Sequence, residues 1–315
     1  MNTQNPTKRA AFFLGKGGVG KTTLSSAFAR ELAKRGRKTL IVSLDPAHNL
    51  GDVFERGLVD EPQHIAPNLD GAEIDLAAWV ARYLDETKRE IKANYSYQSV
   101  LNMDGFLNIM KYSPGTEEYA VLWAIEHIWC GVGAHYDSVV FDTPPTALSL
   151  RFLALPTISE LWVAELTKLR ASILSKRSTL LKLNPEAPVA NSCVDKSEDR
   201  VYGKLDAIQK RLGLLNEVFK KESFVAVVVN PDILSMSEAG KIREELERLG
   251  IPIGAICRNK VGIPGGHAEG PTKVLRDLPV FDYQLVSNGI RELKTLDELD
   301  IERIADHYLH TGSPA

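Results

Sequence analysis

The stretch Gly15-Lys16-Gly17-Gly18-Val19-Gly20-Lys21-Thr22-Thr23 decides the reading of this chain. It lies between a short apolar run, Arg9–Leu14, and a segment at 24–35 whose apolar residues recur at helical spacing. A strand, a glycine-rich turn and a helix in that order suit the capture of phosphate groups. Glycines 17, 18 and 20 let successive backbone N–H groups turn inward as an anion nest without Cβ clashes. Lys21 sets a point charge against the outer phosphates, and the Thr22 hydroxyl can complete a Mg²⁺ shell, which prefers hard oxygens. The helix N-terminus adds its partial positive charge.

Working outward, a β-branched run at 39–44 ends in Asp45-Pro46, and an apolar run at 138–141 ends in Asp142. Further strand-like runs occupy 223–229, 253–257 and 279–283. Helical spacing marks 76–111, 119–130, 158–183, 197–219, 235–249 and 290–309, with a break expected at Pro156. Strands apolar on both faces that alternate with helices predict an α/β fold with a mostly parallel sheet. The expected architecture is one P-loop NTPase domain over 1–315. Its core is flanked by helices, and a helical subdomain is inserted from about 76–135 and 155–222. Aspartates that end strands beside such a loop read either as turn caps or as site acids, because ligands of open α/β sheets bind at the carboxyl ends of strands.

Composition narrows the function classes. The 315 residues carry 38 Lys+Arg against 41 Asp+Glu, a net charge of −3, so no nucleic-acid partner is expected. No uninterrupted apolar run approaches the roughly 18 residues of a membrane span, so no integral membrane segment is expected. The polar start of the chain lacks the apolar core of a signal peptide. Cys130, Cys193 and Cys257 are widely spaced and form no CxxC pair, the economy of a reduced, cytoplasmic protein. A cluster shared across a dimer needs two suitably placed cysteines per subunit, and none follows Asp142 in 143–150, which argues against electron transfer.

Lys16 is the informative extra. A second lysine at the start of the loop gives a monomer little, but a face-to-face dimer can project it onto the partner's phosphates, as an arginine finger does. The loop thus resembles the deviant P-loop class with a signature lysine. The match sharpens at Asp45-Pro46-Ala47-His48-Asn49-Leu50 with Asp52, at Ser113-Pro114-Gly115, and at Asp142-Thr143-Pro144-Pro145-Thr146 with Leu150-Arg151-Phe152-Leu153. Ile233-Leu234-Ser235-Met236-Ser237-Glu238 and Arg258-Asn259-Lys260 extend it. Together these motifs resemble the arsenite-pump and tail-anchored-protein-targeting ATPase family across most of the chain.

The resemblance implies a Mg²⁺-dependent ATPase working as a nucleotide-switched homodimer that binds and releases a client. It implies Asp52 as the acid that orients or deprotonates the attacking water and Lys16 as the catalytic lysine in trans. It implies nucleotide contacts from Gly17, Gly18, Val19, Gly20, Lys21, Thr22, Thr23, Glu238 and Asn259. Thr22 would bind Mg²⁺ directly and Asp142 through water, while Asn259 would read the base. An Asn-Lys pair without a following acid, here Asn259-Lys260-Val261-Gly262, favours adenine over guanine.

Two departures bear on the client. The targeting branch has a zinc-binding CxxC after the base-reading asparagine. Here 262–271 is free of cysteine, and His267 alone cannot supply a tetrahedral N/S site, so no zinc is expected. The stripe Trp162, Leu166, Leu169, Ile173 and Leu180 reads first as core and second as a client groove. The alternatives are therefore the cytosolic ATPase of an arsenite or antimonite exporter, whose metalloid site needs clustered thiolates, and a chaperone for tail-anchored membrane proteins.

Overall fold

The computed structural model describes residues 8–47, 50–94, 109–111, 113–184, 193–262, 275, 277–285 and 293–311. His48, Asn49 and His267 lie outside them. Along the chain run β1 (Arg9–Leu14), α1 (Lys21–Lys34), β2 (Thr39–Ser43), α2 (Leu50–Phe54), β3 (Gln63–Ala66), β4 (Leu69–Glu73), α3 (Leu76–Asn94) and α4 (Thr116–Cys130). There follow β5 (Ser138–Asp142), α5 (Thr146–Leu183), α6 (Arg200–Glu217), β6 (Ser223–Val229), α7 (Ile233–Leu249), β7 (Ile253–Val261), β8 (Val280–Gln284) and α8 (Glu302–His310).

The eight strands form one sheet in the order β3-β4-β2-β5-β1-β6-β7-β8. Every pairing is parallel except β3 with β4. This is the predicted α/β architecture. Register sets the site: Phe13 lies opposite Asp142 in the β1–β5 pair and Ser43 opposite Asp142 in the β2–β5 pair. The glycine-rich loop, Asp45 and Asp142 therefore leave the sheet along one edge. The β3–β4 hairpin escaped the sequence reading because β3 is an edge strand with polar Gln63 and His64, and Asp70, Gly71 and Glu73 interrupt the apolar pattern of β4.

Helix α1 shows why its sequence is helical. Leu24, Phe28 and Leu32, one turn apart, are fully buried. The Phe28 ring lies 5.3 Å from that of Phe13 and meets Tyr308 of α8 edge-on at 5.2 Å. Burial of such a ring stabilises by roughly 2–3 kcal/mol. This packing pins the helix whose first residues carry Lys21 and Thr22.

The chain divides into two compact units, Met1–Phe152 with Lys221–Ala315, and Leu153–Lys220. The segments at 76–135 and 155–222 do not group together as the sequence reading has them: α3 and α4 belong with the sheet unit. There Trp79 meets Trp123 edge-on at 5.6 Å, and Tyr83 stacks on Tyr119 at 6.3 Å.

In the second unit, Arg170 holds Asp199 through two bonds of 3.0 and 2.6 Å, and Asp199 caps α6 by accepting from the Tyr202 amide at 2.7 Å. Near the other end, the Thr157 hydroxyl donates to Asn216 at 2.8 Å, and Asn216 donates to Glu160 at 2.7 Å. The pairings 170 with 199 and 157 with 216 make α5 and α6 an antiparallel hairpin. Helix α5 runs unbroken through Pro156, contrary to the predicted break; proline removes only one rung of a long ladder. By length and composition α5 could cross a membrane, although no single apolar run foretells it, and only 28% of its most apolar stretch is buried. The stripe read first as core is instead largely exposed: Trp162, Leu166, Leu169 and Leu180 face outward, and Leu174 is the buried neighbour.

Candidate nucleotide site

A cleft of about 490 Å³ opens at the loop after β1, within the range of small-molecule sites. Its walls include Gly17, Gly18, Gly20, Lys21, Thr22 and Thr23 from the loop and α1, Asp45 after β2, and Asp52 on α2. Asn259 and Lys260 of β7 and Gln284 of β8 close the far side.

The Lys21 side chain is buried, at 6% exposure, and its ammonium donates to the Lys16 carbonyl at 3.3 Å. Burial pulls its pKa down, while the charges of Asp142, Asp45 and Glu238 pull it up. Helix α1 begins with no side-chain cap on its first amides, which leaves its positive end open to the cleft.

Asp142, 1% exposed, accepts a 2.7 Å bond from the Thr22 hydroxyl on Oδ2. Its Oδ1 is buried without a hydrogen-bond partner. The nearby Ser25 hydroxyl donates to the Thr22 carbonyl at 3.1 Å. Burial pushes Asp142 up to about 7 against the opposing Thr22 bond and Lys21 charge. A carboxylate with one orphaned oxygen beside a hydroxyl is a donor set of hard oxygens, and it fits a hydrated divalent cation. The Thr143 hydroxyl donates to the Phe13 carbonyl at 2.7 Å and locks this strand end against β1.

Asp52 is exposed on α2. Leu50 and Phe54, one helical turn apart, are buried at 0% and 3%, so Asp52 between them faces away from the core, onto the cleft. Lys16 is exposed and is not a wall of the cleft. Glu238 is half-buried on α7 and also stands outside the cleft walls, although its charge reaches Lys21. Val19 is buried in the core, and only its backbone serves the loop.

Asn259 has a task that base reading does not predict. Its Nδ2 donates to the Val19 carbonyl at 2.8 Å, and its Oδ1 accepts from the Lys260 amide at 2.9 Å. Lys260, in left-handed backbone at φ 58, donates from Nζ to the Gly18 carbonyl at 2.8 Å. The end of β7 thus braces the phosphate loop. A Cβ at Gly20, where φ is +96, would come 2.2 Å from Asn259 Nδ2, so the brace itself requires glycine there. Asp45, read as a turn cap or a site acid, stands in the wall. Lys260 and Gln284 are wall residues that motif reading did not assign, and their position at the carboxyl ends of strands is the signal that could have found them.

The family described as Anion-transporting ATPase matches residues 8–296. The chain is 31% identical over 255 residues to a "Putative arsenical pump-driving ATPase 2" of Aquifex aeolicus, covering 80% of each. It is 32% identical over 266 residues to "ATPase ASNA1 homolog 2" of Paramecium tetraurelia, covering 83% of this chain and 78% of that one. It is 31% identical over 262 residues to "ATPase get3" of Sclerotinia sclerotiorum, covering 81% and 73% respectively. A match over nearly the whole chain, and a cleft walled by the loop that carries the family's phosphate motif, lead to one conclusion: the chain belongs to the anion-transporting ATPase family and is an ATP-hydrolysing enzyme.

Proposed function

We propose that this ATPase is a Mg²⁺-dependent switch that closes as a homodimer around nucleotide and couples hydrolysis to the binding and release of a client. The observation that supports it best is the cleft walled by Lys21, Thr22 and Asp52, with Asp142 bonded to Thr22 behind that wall. In this reading the loop amides of 17–23 and the Lys21 ammonium bind and orient the phosphates. Thr22 would bind Mg²⁺ directly and Asp142 would hold it through water, and the ion would supply neutralisation of charge on the phosphate oxygens. Asp52 orients the attacking water and takes its proton. Lys16, exposed outside its own cleft, reaches the partner's phosphates, and Glu238 contacts nucleotide from the other subunit. Asn259 presents its amide to the adenine edge while bracing the loop. A cytoplasmic location belongs to the same reading.

The exposed apolar face of the second unit, with Ile158, Leu161, Trp162, Leu166 and Leu169 outward, supports a hydrophobic helix as client, as for a tail-anchored membrane protein. Arsenite or antimonite export has less support. Metalloid capture needs clustered, accessible thiolates; Cys130 is exposed and Cys193 half-buried, but Cys257 is buried with its thiol pushed up to about 12.

The test is molecular mass by light scattering with and without ATP·Mg²⁺, on the wild type and on Lys16→Ala. The expected result is a mass that doubles with nucleotide, and a variant that binds ATP but turns over at least about 100-fold more slowly. A monomer that hydrolyses ATP with or without Lys16 overturns the dimer reading.

Asp142 supplies a pH test. Between its ordinary 3.8 and its folded value of about 7, the unfolded chain is ionised while the folded one keeps the proton. Folding stability from this group is therefore complete below 3.8 and drains away as pH rises to about 7. Asp142→Asn removes that loss. In nucleotide-free protein the variant should gain about 2 kcal/mol on the wild type between pH 5 and pH 8. Urea unfolding at both pH values measures it. A difference that does not change with pH contradicts the assignment.

A further inference from the structure

Glu73 ends β4, paired in register with Ser43, two residues before Asp45. Its side chain is 8% exposed, and no ion pair to it occurs among the described residues. One oxygen, Oε1, accepts from two consecutive amides, Leu50 N at 2.8 Å and Gly51 N at 2.9 Å. These are the first amides of α2, groups that a helix cannot satisfy from within. A carboxylate there gains charge-assisted bonds and a favourable place against the helix dipole. The far end of the same short helix closes through the Arg56 amide, which donates to the Gly51 carbonyl at 2.9 Å.

Leu50 and Phe54 fasten α2 to the core by one face. An apolar face alone leaves so short a helix free to slide or unwind at its start, because packing is not directional as hydrogen bonds are. Burying a carboxylate with no cation beside it is costly, so its retention here needs a reason beyond packing.

We infer that Glu73 is a positioning residue for hydrolysis: its carboxylate clamps the first amides of α2 and so fixes where Asp52 stands on the cleft wall. The inference rests on the assignment of Asp52 to the attacking water. Gly51 belongs to the same clamp. A Cβ at this position would meet the Arg56 carbonyl oxygen at 2.6 Å and Glu73 Oε2 at 3.4 Å, so a side chain there pries the corner open.

The experiment compares Glu73→Ala, Glu73→Gln and Gly51→Ala with the wild type. Steady-state ATP hydrolysis is read beside hydrogen exchange at the Leu50 and Gly51 amides. Glutamine keeps an oxygen acceptor and alanine does not. In Glu73→Ala, kcat should fall by about 10- to 100-fold, the scale of a misplacement near 1 Å. KM for ATP should stay within about twofold, since the phosphate loop is untouched. The two amides should exchange at least about tenfold faster. Glu73→Gln should restore most of both, and Gly51→Ala should resemble Glu73→Ala. Amides that stay protected in Glu73→Ala overturn the clamp. Fast exchange with unchanged kcat overturns the positioning role. Loss of kcat, KM and melting temperature together in both Glu73 variants assigns the residue to folding and also overturns it. Retained turnover in Asp52→Asn would overturn the assignment of the water to Asp52, and the exchange measurement would still decide whether the clamp exists.

Discussion

Asp52→Asn should bind ATP as the wild type does and lose about 10²–10⁴-fold in kcat, the usual worth of a placed general base. The amide matches the carboxylate in shape and keeps the polar, outward face of α2, while Leu50 and Phe54 continue to hold the helix to the core. It cannot take a proton from water. Because Asp52 lies on the cleft wall and not in the phosphate loop, ground-state binding has no reason to change. Single-turnover hydrolysis, with affinity from a fluorescent nucleotide, separates the two. Turnover within about tenfold of the wild type sinks the assignment.

Lys21→Ala should fail one step earlier. The Lys21 ammonium is buried, its own bond is a 3.3 Å contact to a loop carbonyl, and burial pulls its pKa down. A cation held in that condition is costly until an anion joins it. Removing one partner of a buried ion pair costs about 3–5 kcal/mol, or roughly 10²–10⁴-fold in ATP affinity. The nucleotide-free protein should melt no lower than the wild type, because the variant sheds a desolvated charge. Calorimetric titration with ATP·Mg²⁺ beside a thermal scan tests both halves. Binding within about tenfold of the wild type would mean that the loop amides alone carry the phosphates.

The two variants dissect one edge of the sheet, and much of that edge is legible in the chain. The run from Gly15 to Thr23 joins an apolar strand, β1, to an amphipathic helix, α1, and both neighbours are plain in the residue pattern. The strand that leads to Asp45 and the one that ends at Asp142 are equally plain, because fully buried strands write themselves as continuous apolar runs. The hairpin of β3 and β4 is not plain, since its residues answer to neighbours and not to a period of their own. Glu73 stays hidden with it. A glutamate at the end of a polar-looking segment carries no mark of the two amides it will meet 22 and 23 residues earlier.

Asn259 shows the same division. Its residue type points to an amide facing a base, but its bond to Val19 spans 240 positions and exists only because β7 and β1 flank β6 in one sheet. The stripe on α5 is the reverse case. Helical spacing states correctly that Trp162, Leu166 and Leu169 share a face, and says nothing of whether that face is covered.

By itself, then, the sequence determined the phosphate loop, the alternation of strand and helix, and the acids that end strands, because each is encoded within a dozen residues by backbone freedom and hydrophobic period. Only the tertiary structure decided which acid is orphaned beside Thr22, that Asn259 and Lys260 brace the loop, and that Glu73 holds the helix of Asp52. Those contacts depend on register and strand order, which sum over the whole sheet and leave no trace in any one segment.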